Sequence, residues 1–207
     1  MHMGSCMGAV GAAKQKEEMK KEEIRKIILV HGWDGSPERG WWPWMRAECK
    51  KLGLQVHAPQ LPGGENPQLP KWVDTIASLV GDDTASTILV GHSLGCDAIL
   101  RYVERLSPAQ RIVAIVLVAP FFDETDIEDL KEFNGQAVNI GRVKIVAQQK
   151  VAFFSSDDPH IPLKEGIEYQ HRLGAQIHIL KNRGHFTPDD KCVSIPEVLE
   201  AVKKIIT

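Results

Sequence analysis

Ile88-Leu89-Val90-Gly91-His92-Ser93-Leu94-Gly95 is an apolar, β-branched run that passes into Gly-x-Ser-x-Gly. From Leu94 to Leu106 it continues as apolar residues at helical spacing: Leu94, Ala98, Ile99, Tyr102, Val103 and Leu106. Strand, sharp turn, helix is the context that lifts a serine hydroxyl above the end of a sheet strand. Such a turn strains the backbone of Ser93, and strand and helix can close up only if small residues stand two positions to either side. Gly91 and Gly95 hold those positions.

On the N-terminal side, Ile27-Ile28-Leu29-Val30 is a second continuous apolar run, ending in His31-Gly32-Trp33-Asp34-Gly35, and Ile112 to Val118 is a third, closed by Ala119-Pro120. Continuous rather than alternating hydrophobicity marks strands buried on both faces, as in a parallel sheet covered by helices. Shorter strands are predicted over Leu54–Ala58, Val151–Phe154 and Gln176–Leu180, which makes six in all. Helices are predicted from about Arg39 to Lys51 with a start near Pro43, and over Trp72–Val80, Leu94–Leu106, Leu163–Leu173 and Ile195–Ile206. Prolines and glycines from Pro59 to Pro70 read as a loop. This alternation predicts a three-layer α/β domain with a mainly parallel sheet of about six strands.

The boundaries of that domain are residues 25–207. Residues 1–24, rich in mixed charge and poor in anything to bury, are expected to form a mobile N-terminal extension. Between about 121 and 147 the pattern weakens, with a short helix over Ile127–Phe133, a break at Asn134-Gly135 and another short helix near Val143. A small lid or minimal cap would sit there.

A formal net charge of −2 leaves no electrostatic footprint for nucleic acid, and no block of like charge suggests a membrane surface. Small neutral or weakly charged substrates are the natural expectation, and nothing in the sequence sets an oligomeric state. Cys6, Cys49, Cys96 and Cys192 lack the paired spacing of a zinc ribbon or a disulfide framework, so a reducing cytoplasm is expected. There is no apolar run of about 18 residues and no signal-peptide pattern.

Open parallel sheets gather their functional residues at the carboxyl ends of strands. Here those ends present, in chain order, Ser93, the pair Asp157-Asp158 and His185. A serine hydroxyl is a weak nucleophile until an imidazole accepts its proton, and that imidazole needs a carboxylate to fix its tautomer. Ser93 is therefore the candidate nucleophile and His185 the candidate base, with an aspartate of the pair as orienter. Attack on a carbonyl creates an oxyanion that needs preorganised donors. The backbone N–H groups of Leu94 and Trp33 are the candidates, and Trp33 and His92 are the candidate substrate-contacting residues. His92 reads as a packing residue rather than a second base, and His31 as a residue packed under the oxyanion loop. Trp41, Trp42 and Trp44 could add to an apolar pocket. Cys96 reads as a small packing residue, and His57, His160, His171 and His178 show no metal-ligand spacing.

With these pieces in place the chain resembles the α/β-hydrolase superfamily, and within it the small serine hydrolases of the YdeN and retinoblastoma-binding hydrolase type. The likeness runs from about Ile27 to Ile206 and rests on Ile28-Leu29-Val30-His31-Gly32-Trp33, Gly91-His92-Ser93-Leu94-Gly95, Arg111 to Val118, Ser156-Asp157-Asp158-Pro159 and Gly184-His185-Phe186. The resemblance implies that the aspartate before proline, Asp158, completes the triad. It further implies a compact hydrolase of small esters or amides, without a cofactor or metal, that works through an acyl-enzyme. Some vertebrate members carry Leu-x-Cys-x-Glu, associated with retinoblastoma-type partners; this chain reads Leu79-Val80-Gly81-Asp82-Asp83 there, so that partner is not carried over. A carboxylesterase is the leading expectation. An amidase or aminopeptidase, or a catalytically idle binding module on the same fold, are the alternatives.

Overall fold

The computed structural model describes residues 24, 26–122 and 137–207. Six strands form one sheet in the order β2-β1-β3-β4-β5-β6, every neighbouring pair parallel. They are β1 (Lys26–Val30), β2 (Gln55–His57), β3 (Thr87–His92), β4 (Ile112–Val118), β5 (Ala147–Ser155) and β6 (Gln176–Leu180). Every residue of β1, β3 and β4 is buried, which is the reason their hydrophobicity is continuous.

The helices are α1 (Trp42–Lys51), α2 (Leu69–Val80), α3 (Leu94–Arg105), α4 (Ile140–Val146), α5 (Lys164–Glu168) and α6 (Pro196–Ile206). α1 touches α6, whereas α2, α3 and α4 pack in a row. Right-handed crossovers require this division. The chain steps one way from β1 to β2 and the other way from β2 onward, so the connecting helices fall on opposite faces. The reversal lies between β1 and β3, and the crevice beyond their carboxyl ends is where such sheets place a ligand. β1 runs there into His31-Gly32-Trp33, and β3 into Ser93.

Beyond one-residue differences at element ends, three elements differ from their predicted extent. α2 begins at Leu69, three residues early, because Pro70 sits in its first turn, where a missing N–H costs nothing. β5 begins at Ala147, where α4 runs directly into it; Gln148 and Gln149 are exposed at this end, so their polarity masked the strand. The predicted helix over 163–173 is α5 followed by a π-helical turn, Tyr169–Leu173, stopped by left-handed Gly174. That turn carries Tyr169, fully buried, whose hydroxyl donates to Phe121 O at 3.0 Å. The extension over 1–24, apart from Ile24, and the predicted helix over 127–133 with its break lie outside the described residues.

Lys26 is the buried cation at the foot of the sheet. Its ammonium donates to Leu79 O and Val80 O, both at 3.0 Å, and pairs with Asp83 at 3.3 Å. It thereby satisfies carbonyls at the C-terminus of α2, the negative end of the helix dipole. Among the described residues no helix is long and apolar enough to cross a membrane.

Candidate active site

Ser93 joins β3 to α3 at φ 51° and ψ −121°, a backbone state of high cost for a residue with a Cβ. The surroundings hold it there. Its N–H donates to Val118 O at the end of β4 (2.9 Å), and its carbonyl accepts from the Cys96 N–H (2.8 Å). A Cβ at Gly91 would meet Ile99 Cδ1 at 2.8 Å and Cys96 N at 3.0 Å; one at Gly95 would run into the Val30 and His31 carbonyl oxygens. Only glycine lets β1, β3 and α3 approach this closely.

The loop after β6 brings His185 over the elbow, with Nε2 3.0 Å from Ser93 Oγ. On the other side of the ring, Nδ1 lies 2.8 Å and 3.1 Å from the two oxygens of Asp158. An ionised carboxylate can only accept, so Nδ1–H donates to Asp158 and Nε2 is left to accept the Ser93 hydroxyl proton. The Asp158 side chain is 1% exposed, and its Oδ1 also accepts from the His160 and Ile161 amides at 2.9 and 3.0 Å. Adjacent Asp157 points elsewhere. Its Oδ1 accepts from Ser155 Oγ (2.7 Å) and Gly184 N (3.0 Å), bonds that hold its carboxyl below the usual range.

The Leu94 amide is the first of α3, at the positive end of the helix, and Trp33 follows the Gly32 turn beyond β1. Neither amide donates to a protein acceptor among the described residues. His31 fixes the Gly32–Trp33 peptide: its Nδ1–H donates to Gly32 O (2.8 Å), while Nε2 accepts the Leu61 N–H (2.9 Å). Burial lowers its pKa against the opposing pull of that carbonyl and of Asp34. Trp33 is 39% exposed, and its indole N–H donates to Glu65 O at 2.9 Å.

His92 stands beside the elbow as a neutral wall. Burial, reinforced by the neighbouring His185, pushes its pKa down to about 3, and its Nε2–H donates to His185 O at 2.7 Å. A cleft of about 190 Å³ opens between the loop after β1 and the loop after His185. Trp33, Trp41, Trp42, His92, Phe186 and Pro188 line its walls, whereas Trp44 is not among its lining residues. Trp41 and Trp42 stack with centroids 3.7 Å apart. Cys96 is buried, its Sγ 3.4 Å from Val118 O, and burial keeps its thiol protonated.

Two neighbours of His185 were not assigned to the site from the sequence. The ring of His160 meets that of His185 edge-on at 5.0 Å. Asp190 Oδ2 accepts from the His185 N–H (3.0 Å), the Thr187 N–H (2.9 Å) and the Thr187 hydroxyl (2.6 Å). Thr187-Pro188-Asp189-Asp190 reads as turn chemistry, and that was its one available signal. Together the arrangement can deprotonate a serine, hold its imidazole in one tautomer and offer two N–H groups to a developing oxyanion.

Known proteins agree with this architecture. YdeN of Bacillus subtilis is 27% identical over 179 residues, which cover 86% of this chain and 94% of YdeN. Its crystal structure superposes with a TM-score of 0.82 over 87% of this chain and 98% of that one. Serine hydrolase RBBP9 of Rattus norvegicus is 26% identical over 187 residues, covering 88% of this chain and 96% of RBBP9. A structure from a study of Nitrososphaera gargenis carboxylesterases shares the fold at 13% identity and a TM-score of 0.68. The family model described as "Serine hydrolase" matches residues 27–204, and the chain belongs to that family.

Proposed function

We propose that this serine hydrolase is a carboxylesterase of small substrates, with Ser93 as nucleophile, His185 as general acid and base, and Asp158 as the carboxylate that orients it. The observation that carries this reading is the unbroken chain Ser93 Oγ, His185 Nε2, His185 Nδ1, Asp158, with links of 3.0 and 2.8 Å. Ser93 Oγ attacks the ester carbonyl carbon while its proton passes to His185 Nε2. The carbonyl oxygen becomes an oxyanion facing the amides of Trp33 and Leu94, each such donor being worth about 10²–10³ in rate. Collapse breaks the bond to the alcohol, which leaves with the proton from His185. Water then attacks the acyl-Ser93 carbonyl and gives its proton to the same nitrogen; collapse breaks the bond from the carbonyl carbon to Ser93 Oγ, which takes that proton back from His185, and the carboxylic acid departs. Trp33 and His92 bound the space where the substrate carbonyl would sit.

The test is covalent labelling of the purified protein by a fluorophosphonate, with the modified residue located by mass spectrometry and Ser93→Ala as control. Labelling confined to Ser93, together with turnover of p-nitrophenyl acetate that Ser93→Ala abolishes, is the expected result. Turnover that survives in Ser93→Ala overturns the assignment. Faster turnover of aryl amides than of matched esters would overturn the ester preference alone.

A further inference from the structure

The loop that delivers His185 has a costly backbone. Asn182, Phe186 and Lys191 stand at φ 54°, 57° and 57°, and Gly184 at 52°. Side chains with a Cβ rarely adopt this left-handed region, so the segment needs anchors outside its own backbone preference. Three are present. Phe186 is 1% exposed, its ring sunk in the core. Arg183 pairs with Glu197 of α6 at 3.0 Å. The third anchor is Asp190, and of the three only it binds the main-chain amide of His185 itself, at 3.0 Å.

We propose that Asp190 is a positioning residue for the general base, so that His185 is held by two carboxylates, Asp158 at the ring and Asp190 at the main chain. The inference rests on the reading of Ser93 and His185 as nucleophile and base. All three donors converge on one oxygen of Asp190, two from the backbone on either side of Phe186 and one from the Thr187 hydroxyl. They therefore fix the turn at His185 and the turn at Thr187 relative to one another. Hydrogen bonds to an ionised acceptor are about twice as strong as neutral ones. Although partial burial acts the other way, the bonds from Thr187 and His185 hold the Asp190 carboxyl below the usual range, so it is ionised wherever the enzyme would work. The oxygen that is left over lies against Gly184, where a Cβ would strike the carboxylate. Catalytic groups must be held to within about 0.5 Å and 10–20° of their productive geometry. The 3.0 Å contact from Nε2 to Ser93 is set by where this loop places its histidine.

The charge adds a second effect. The groups that face the His185 ring are Asp158 at Nδ1, Ser93 at Nε2, neutral His92 with its ring centre at 5.0 Å, and His160 at 5.0 Å. Arg183, nearby in the loop, is engaged by Glu197. Asp157, bound to the Gly184 N–H, is another carboxylate beside this loop; Asp190 adds its own negative charge, and a carboxylate near an imidazole favours its protonated form. Removing that charge moves the acid limb of kcat/KM to lower pH.

The experiment compares wild type, Asp190→Ala and Asp190→Asn in kcat, KM and the pH profile of kcat/KM on a p-nitrophenyl ester, with thermal melts alongside. Asp190→Ala is expected to lose about 10²-fold in kcat, the usual cost of a catalytic group displaced by about 1 Å. Its KM should stay near wild type, because the lost interaction acts on the reacting geometry and not on ground-state binding. Asp190→Asn keeps an acceptor oxygen and should recover most of kcat, while its acid limb still shifts to lower pH. Wild-type kcat in Asp190→Ala, or a loss that disappears at a temperature where the variant is fully folded, overturns the proposal. Should Asp190→Ala fail to fold, Asp190→Asn decides, since an acid limb unchanged from wild type overturns it equally. Wild-type protein whose Ser93 is not labelled by a fluorophosphonate would instead remove the reading beneath it.

Discussion

Gly95→Ala is the sharpest probe of how the elbow is built. A Cβ at Gly95 would stand 2.5 Å from His31 O, closer still to Val30 O, and 3.0 Å from the Val30 carbonyl carbon. Ordinary contact begins near 3.4 Å, so α3 and the end of β1 must part by about 1 Å. Both obstructing atoms belong to backbone, so no side-chain rotation relieves the clash. Overpacking of this kind costs about 1–3 kcal/mol, which for a domain of this size lowers Tm by about 2–4 °C for each kcal/mol. The larger effect falls on chemistry, because the parting elements are those that carry the amides of Leu94 and Trp33. Moving one donor by nearly 1 Å from the oxyanion should cost about 10²-fold in kcat. Gly141→Ala in α4 is the control. Its Cβ would meet nothing nearer than Asn139 Oδ1 at 3.5 Å, so it should leave kcat unchanged and stabilise by about 0.5–1 kcal/mol. Hydrolysis of p-nitrophenyl acetate and melting curves read both quantities. A Gly95→Ala protein with wild-type kcat and Tm would refute the claim that this close approach serves the site.

Further outcomes follow from the same geometry. Asp158→Asn should cost about 10³–10⁴-fold in kcat through loss of the required tautomer, whereas Asp157→Asn, which keeps an acceptor for Ser155 and Gly184, should lose far less; the reverse order in steady-state kinetics would reassign the acid. Lys26→Met leaves Leu79 O at the end of α2 without its side-chain donor and Val80 O with the Asp83 N–H alone, so denaturant unfolding should show a loss of about 1–3 kcal/mol with kcat unaffected. Asp97, one turn into α3, has its carboxyl pushed up by burial to about 6, although Arg101 at 3.5 Å acts the other way. A folded-state pKa above the unfolded value means that the folded protein binds this proton more tightly. Stability from this group is therefore greatest below about pH 4 and is lost as pH rises through about 6. Asp97→Asn should flatten that slope and stabilise the protein at pH 7 by up to about 3 kcal/mol; parallel stability curves for the two proteins between pH 4 and 8 would contradict the assignment.

Much of the fold was legible because burial leaves a local trace. Lys26–Val30, Thr87–His92 and Ile112–Val118 are buried end to end, and the continuous hydrophobicity of these strands announced a covered parallel sheet. Gly91 and Gly95 announced the elbow because a backbone clash two residues from Ser93 is a local constraint. β5 was read short for the opposite reason: Gln148 and Gln149 lie at its exposed end, where hydrogen bonding continues and hydrophobicity does not.

By itself, then, the sequence determined the chain order of chemistry, a serine, an acidic pair and a histidine at three strand ends, those of β3, β5 and β6, since residue type and backbone propensity are properties of short segments. Between two adjacent aspartates the residues themselves left the choice open and the family resemblance implied Asp158; only the tertiary structure gives the physical reason. Asp158 turns to His185 while Asp157 turns to Ser155 and Gly184. Neighbours on a loop point in different directions according to hydrogen bonds that include partners 27 positions away. The same holds for the tryptophans that reach the cleft and for Asp190 under the His185 turn, whose partners are set by how the loop folds back and not by any period in the chain.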